Sequence, residues 1–322
     1  MREIIVQRPW LTVGCTLGEG PLYDPSTSLL HFVDISENKV SNISSVLPHS
    51  HFPMPQVFHV NIDTHELAVE QFEEPVTCLA LRQNGAGLAC AAAQGFALLE
   101  DNSTLTYLSK PLSDEDAPFT RFNDGGCDSR GRFFAGTIYA KEHGIPGRLY
   151  RYDPLENHCE VVDEGPFTDS NGLGWSPDEN TFYFTDSLVN KIYAYDYKAG
   201  DLSNRRVFVD AVAQGLAESS FCDGLCIDED GCLWSARWGG SKIIRFDKNG
   251  IIDAQIHFPT ALNITACCFG GPNNDVLFVT TAHCGANGGD WTRQEDFPDS
   301  GHLFLVDLAG QYRGLPRHKF AA

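Results

Sequence analysis

The sequence predicts an all-β chain folded as a six-bladed β-propeller with four-stranded antiparallel blades, and three observations carry that prediction. A short pattern headed by an oxygen-bearing side chain returns roughly every fifty residues, a period typical of propellers. Each copy passes through a polar turn into an apolar strand. No segment sustains a helical period. The four polar-headed copies are Glu19-Gly20-Pro21-Leu22-Tyr23-Asp24, Asn123-Asp124-Gly125-Gly126-Cys127-Asp128, Asn171-Gly172-Leu173-Gly174-Trp175-Ser176 and Asp223-Gly224-Leu225-Cys226-Ile227-Asp228. They lead into Leu30-His31-Phe32-Val33, Phe133-Phe134-Ala135-Gly136, Phe182-Tyr183-Phe184-Thr185 and Leu233-Trp234-Ser235-Ala236.

Two more copies lack a ligand at the head, one starting at Val76 and the other near Thr265. Six such units fill nearly the whole chain, read as one domain over residues 1–322. Third strands are expected at Gly147–Asp153, Lys191–Asp196 and Lys242–Asp247, each alternating and ending in Asp. Outer strands follow at Glu160–Val162, Arg206–Val209 and Ala254–Phe258. Closure of the ring is expected from Ile4-Ile5-Val6 beside a late strand such as His302-Leu303-Phe304-Leu305-Val306. Two segments interrupt the repeat: Ser41 to Gln56, a surface insertion in the first blade, and Ala286 to Ser300, a polar loop in the last.

Composition narrows the function classes. A 42% hydrophobic, 11% aromatic chain of 322 residues can build a large core. Its net charge of −20 repels phosphate backbones and anionic lipid, which argues against nucleic-acid and membrane partners. No stretch approaches the roughly 20 apolar residues of a bilayer span, and the first eight residues do not read as a signal peptide. The 11 cysteines include no Cys-x-x-Cys, and Cys78, Cys90, Cys232, Cys267 and Cys268 sit in strand patterns as small hydrophobes. A reduced, cytoplasmic protein acting as a monomer or weak dimer is expected. The sequons at Asn42, Asn102 and Asn263 then carry no meaning.

Inner strands of propeller blades begin at one face of the ring, so Glu19, Asn171 and Asp223 should line the central channel at similar depth, with Asn123 nearby. Two carboxylates and amide oxygens make a hard oxygen site for Ca²⁺, Mg²⁺, Mn²⁺ or, less typically, Zn²⁺. The plainer reading is that Asn-Gly and Asp-Gly form turns between strands. That suffices for any one copy, whereas four copies in phase point to a site. Arg121, two residues before a head, offers a fork of donors; elsewhere a lone Arg would be read as a salt-bridge partner. His49, His51 and His59 cluster in the inserted loop and read as solvated. Tyr139 and Trp238 are rim candidates, and His283 is placed near the mouth.

The order of Leu17-Gly18-Glu19-Gly20-Pro21, Arg121-Phe122-Asn123-Asp124-Gly125, Gly136-Thr137, Ser170-Asn171-Gly172-Leu173, Asp186-Ser187, Asp223-Gly224 and Cys268-Phe269-Gly270-Gly271-Pro272 resembles the gluconolactonase family, which includes the regucalcins (senescence marker protein) and the luciferin-regenerating enzymes. The resemblance runs from about Cys15 to Phe320. It implies a propeller that hydrolyses lactones with one divalent cation, held by Glu19, Asn171 and Asp223. It also implies substrate contacts from Arg121 and Asn123. Regucalcin-like members carry an acid where this chain has Lys141, with Glu142 adjacent, so Glu142 is the expected further substrate contact. The chemistry agrees independently: a cation polarises an ester carbonyl, and Asp223 can accept the proton of the attacking water. The competing readings are a calcium-binding regulatory or scaffold propeller, and phosphoester hydrolysis as a side activity of the same centre. No Gly-x-Ser-x-Gly elbow, phosphate loop or dinucleotide fingerprint occurs.

Overall fold

The computed structural model describes residues 2–35, 54–85 and 87–322. The strands form six sheets in a ring, so the six-bladed propeller stands. The inner strands are Gly18–Asp24, Val76–Leu81, Phe122–Cys127, Ser170–Trp175, Phe221–Ile227 and Asn263–Gly270. Each pairs antiparallel with the strand that follows it. The second strands are continuous apolar runs because they are covered on both faces. Leu88–Ala92 and Phe133–Thr137 are buried throughout. Aromatic side chains fill the spaces between blades. Phe134, Trp175, Phe182, Tyr195 and Tyr197 join the third blade to the fourth.

All six inner strands carry one register shift: after Glu19, Val76, Phe122, Asn171, Cys222 and Ile264. Such a bulge bends the strand and re-aims a side chain. The X-Gly heads are therefore bulges inside strands, and the turn reading of them is corrected. The glycine has a steric cause, because the inner strands of adjacent blades nearly touch here. A Cβ on Gly172 would lie 2.2 Å from the Leu225 nitrogen, and one on Gly224 would lie 2.5 Å from Ala266 Cβ. The last position of the pattern has a separate job. Asp24, Asp128 and Asp228 accept backbone N–H bonds within the hairpin that follows: from Ser26 at 2.9 Å, Arg132 at 2.9 Å and Cys232 at 2.9 Å. Ser176 does the same for Thr181 at 3.0 Å. Asp128 is also paired with Arg132, and Asp228 with Arg245.

Closure differs from expectation. Arg2–Ile5 lies parallel to Ile252–His257 and gives the fifth blade a fifth strand. The sixth blade, with three strands of its own, is completed by Trp10 and Leu11 against Leu303 instead. Both edges would otherwise expose unpaired backbone groups, and one N-terminal segment covers the two in turn. Near the other end of the chain, Gly314 bonds Asn274 at 2.9 Å and Phe320 bonds Leu81 at 2.8 Å. The tail thus crosses the channel from the sixth blade to the second. The insertion read at Ser41–Gln56 falls mainly on residues 36–53, outside the described residues, as do His49 and His51.

Substituting Gly224→Ala or Gly172→Ala should destabilise the protein by about 2 kcal/mol or more, since the intruding methyl meets a neighbouring blade. The midpoint of guanidinium unfolding measures this. An unchanged midpoint would mean that the inner strands can spread apart.

Candidate metal and substrate site

Two cavities of about 420 Å³ each occupy the channel. One sits where the inner strands begin, and Glu19, Arg121, Asn123, Asn171 and Asp223 all line it. The other lies further along the same strands. It is walled by residues such as Leu79, Leu173, Leu225 and Phe269, and covered by the tail at Leu315–His318.

The five expected side chains are each at least nine-tenths buried, and a chain of hydrogen bonds orients them. Arg121 Nη1 donates to Asn123 Oδ1 at 2.6 Å. Asn123 Nδ2 donates to the Ser170 carbonyl at 2.8 Å and to Asn171 Oδ1 at 3.2 Å. Asn171 Nδ2 donates to Ser187 Oγ at 2.9 Å. This relay fixes which end of each amide is oxygen. Asp186 holds the approach to the strand by accepting from Thr168 N at 3.0 Å and Asp169 N at 3.3 Å.

The electrostatics are unbalanced. Burial raises the Glu19 carboxyl to about 8, helped by the charge of Asp124, while the Gly20 N–H and Arg121 pull the other way. Burial likewise lifts Asp223 well above the carboxylate range, and Glu19, Asp169 and Asp124 push it further. Two buried acids that repel each other fit a divalent cation, which would cancel both charges and offset their desolvation. Asn171 supplies a neutral oxygen of the type hard cations accept. Among the described residues no group of three or more His, Cys, Asp or Glu forms a metal cluster. The candidate set is accordingly two carboxylates and an amide.

Tyr139 and Trp238 line the same cavity, as their rim placement anticipated. Glu142 does not. It sits in the turn Lys141–His143, exposed, because Ala140 pairs back onto Ile145 and Gly144 turns the chain with φ of 69°. Its placement as a cavity residue is corrected. His283 also stays out of the cavity: its ring packs on Trp291 at 4.4 Å and its Nδ1 accepts from Gly285 N at 3.0 Å. His59 belongs to the strand Gln56–Asn61, against His31 and Glu70. Sequence reasoning missed Asp169, Thr168, Leu188 and Phe221, which also line the site. These flank the head motifs and are placed by the strands' ends. Ala286–Gly289, from the last-blade loop, completes the wall.

Fold and site together define a six-bladed propeller with a buried acidic cavity at one mouth of its channel. Within that class, this chain belongs to the SMP-30/gluconolactonase/LRE-like family, whose defining region matches residues 17–283. It is 32% identical to regucalcin of Xenopus laevis over 317 residues, covering 95% of both chains. Its fold is shared with a luciferin-regenerating enzyme, at a TM-score of 0.81 and 24% identity over 96% of both chains. It is likewise shared with regucalcin, a calcium-binding protein of Agrobacterium tumefaciens, at a TM-score of 0.82 and 22% identity over 100% of both chains.

A carboxyl whose folded pKa exceeds its unfolded value binds its proton more tightly in the native state. Between 4.5 and about 8, Glu19 therefore makes stability fall as pH rises. In chelator, the melting temperature should drop across this window, and Glu19→Gln should flatten the slope. A flat or rising wild-type profile would overturn the electrostatic description.

Proposed function

We propose that the protein hydrolyses a lactone, of the sugar aldonolactone class, to its hydroxy acid with the help of one divalent cation held by Glu19, Asn171 and Asp223. The observation that carries this reading is the pair of buried, mutually repelling carboxylates beside a fixed Arg121–Asn123 relay in one cavity. A bound divalent cation would supply Lewis-acid polarisation of the ester carbonyl and a more acidic water.

The residues of the chain do the rest. Arg121 and Asn123 hold the ring and its carbonyl side by directed hydrogen bonds. Asp223 accepts a proton from the attacking water and returns it to the ring oxygen as the carbon–oxygen bond opens. The apolar wall of Leu17, Ile138, Leu188 and Phe221 limits access of bulk water. Membership of a family described by its gluconolactonases supports lactonase-type chemistry. The 11 cysteines, all unpaired, support a reducing cytoplasmic setting, and no helix of the described residues is long and apolar enough to cross a membrane.

A calcium-binding regulatory role is the second reading, favoured by relatives named regucalcin and by the neighbour described as calcium-binding. A bound ion that serves structure alone has no use for an arginine–amide relay lining the same cavity, which favours turnover.

Chelated protein should be inactive on aldonolactones and regain activity when Ca²⁺, Zn²⁺, Mn²⁺ or Mg²⁺ is restored singly. Tight cation binding with no lactone hydrolysis under any metal would leave the regulatory reading standing. Asp223→Ala should lower kcat by roughly 10²-fold or more while circular dichroism stays that of a folded propeller. Near-normal turnover in that variant would remove Asp223 from the chemistry.

A further inference from the structure

With Glu142 exposed outside the cavity, the lining presents the Arg121–Asn123 relay, whose Asn123 amide protons are both spent on Ser170 and Asn171, and the carboxylate expected beside it is missing. One carboxylate is positioned to fill that gap. Asp169 stands between the outer strand of the third blade, His158–Phe167, and the inner strand Ser170–Trp175. Its backbone is pinned on two sides: its carbonyl accepts from Ser187 N at 3.0 Å, and it bridges to Ile138. Its N–H is held by Asp186 at 3.3 Å. Its side chain lines the cavity, yet the carboxylate accepts no hydrogen bond from any described residue. The main chain is thus fixed while the half-buried acid itself accepts nothing from the protein, and an acceptor facing a cavity in this state suits a ligand that supplies donors.

Charge points the same way. Glu19 and Asp223 together match a divalent cation, and Asp169 lies within electrostatic reach of Arg121, which is opposite in sign. With Asp124 and Asp186 acting nearby, the site keeps an acidic balance even with a divalent cation in place, which suits an uncharged substrate and disfavours retention of an anionic product. Apolar side chains, among them Leu188 and Phe221, cover the remaining wall, so a ring with a hydroxyl edge and an apolar face matches the lining.

We propose that Asp169 is a specificity-determining residue that accepts hydrogen bonds from the ring hydroxyls of the substrate, so that the cavity selects polyhydroxylated lactones over unsubstituted ones. In its turnover arm this rests on the lactonase reading above; its recognition of a polyol ring does not.

The test compares wild type, Asp169→Asn and Asp169→Ala, loaded with the same cation, on gluconolactone and on δ-valerolactone, which has the ring without the hydroxyls. Binding of anhydroglucitol, a polyol ring that cannot be hydrolysed, is followed in parallel by ligand-observed NMR. Asp169→Ala should raise KM for gluconolactone roughly 10-fold or more. It should raise KM for δ-valerolactone far less, shift kcat on the two lactones by the same factor, since the charge beside Asp223 is lost for both, and abolish anhydroglucitol binding; Asp169→Asn, which keeps an acceptor oxygen, should fall between. An unchanged KM for gluconolactone, or an equal rise in KM for both lactones, would overturn the assignment. If no lactone is turned over by any form, the lactonase reading fails alone: loss of anhydroglucitol binding in Asp169→Ala still supports the assignment. A wild type that ignores the polyol, or a variant that binds it equally well, overturns it.

Discussion

Everything in this propeller depends on how closely its inner strands approach one another. Gly172 faces the backbone of Leu225, and Gly224 faces Ala266, at separations that leave no room for a methyl group. Neighbouring blades therefore converge to near-contact at the heads of their inner strands. That convergence is what makes six separated residues into neighbours. The bulge beside each glycine then turns the preceding or following head residue toward the channel. Steric need and function are satisfied by the same dipeptide, since the glycine permits the approach and the polar residue beside it faces the cavity.

The same convergence creates the electrostatic cost. Glu19 and Asp223 are brought into one buried space where each raises the proton affinity of the other. Evenly apolar heads would avoid the cost, and the second and sixth blades take that course. Val76 is wholly buried, and Thr265 spends its hydroxyl on the Gly18 carbonyl at 2.6 Å and on Thr280. The ring thus has two blades whose heads serve packing and four whose heads serve the cavity. Asn123 and Asn171 tie the uneven set together through hydrogen bonds that cross from the third blade to the fourth.

Much of this was legible in the sequence because repeats expose it. The period placed the blades, and the phase of the heads placed Glu19, Asn123, Asn171 and Asp223 around one cavity. Other features depend on information that a repeat does not hold. The bulges look like turns in sequence, since Asn-Gly and Asp-Gly serve both purposes. Asp169 precedes its head motif by two residues, and its place in the cavity comes from the bridge to Ile138 in another blade. Glu142 lies in a connection whose path is set by the Ala140–Ile145 pairing, which no local pattern announces. The parallel pairing of Arg2–Ile5 with the fifth blade is non-local over some 250 residues of separation. Hydrophobic alternation alone cannot choose among several open edges.

That pairing also ties the start of the chain to the cavity. The opening segment first borders the fifth blade and then, at Trp10 and Leu11, supplies the missing edge of the sixth. Leu17, which follows it, bridges Ala282 across the last seam of the ring, two residues before Glu19. The strand of the first-blade carboxylate is therefore fixed from two directions: by its own blade, where Glu19 pairs with Val33, and by the last blade through the Leu17–Ala282 bridge. The seam that closes the ring and the acidic wall of the cavity share one strand, so whatever loosens the first loosens the second.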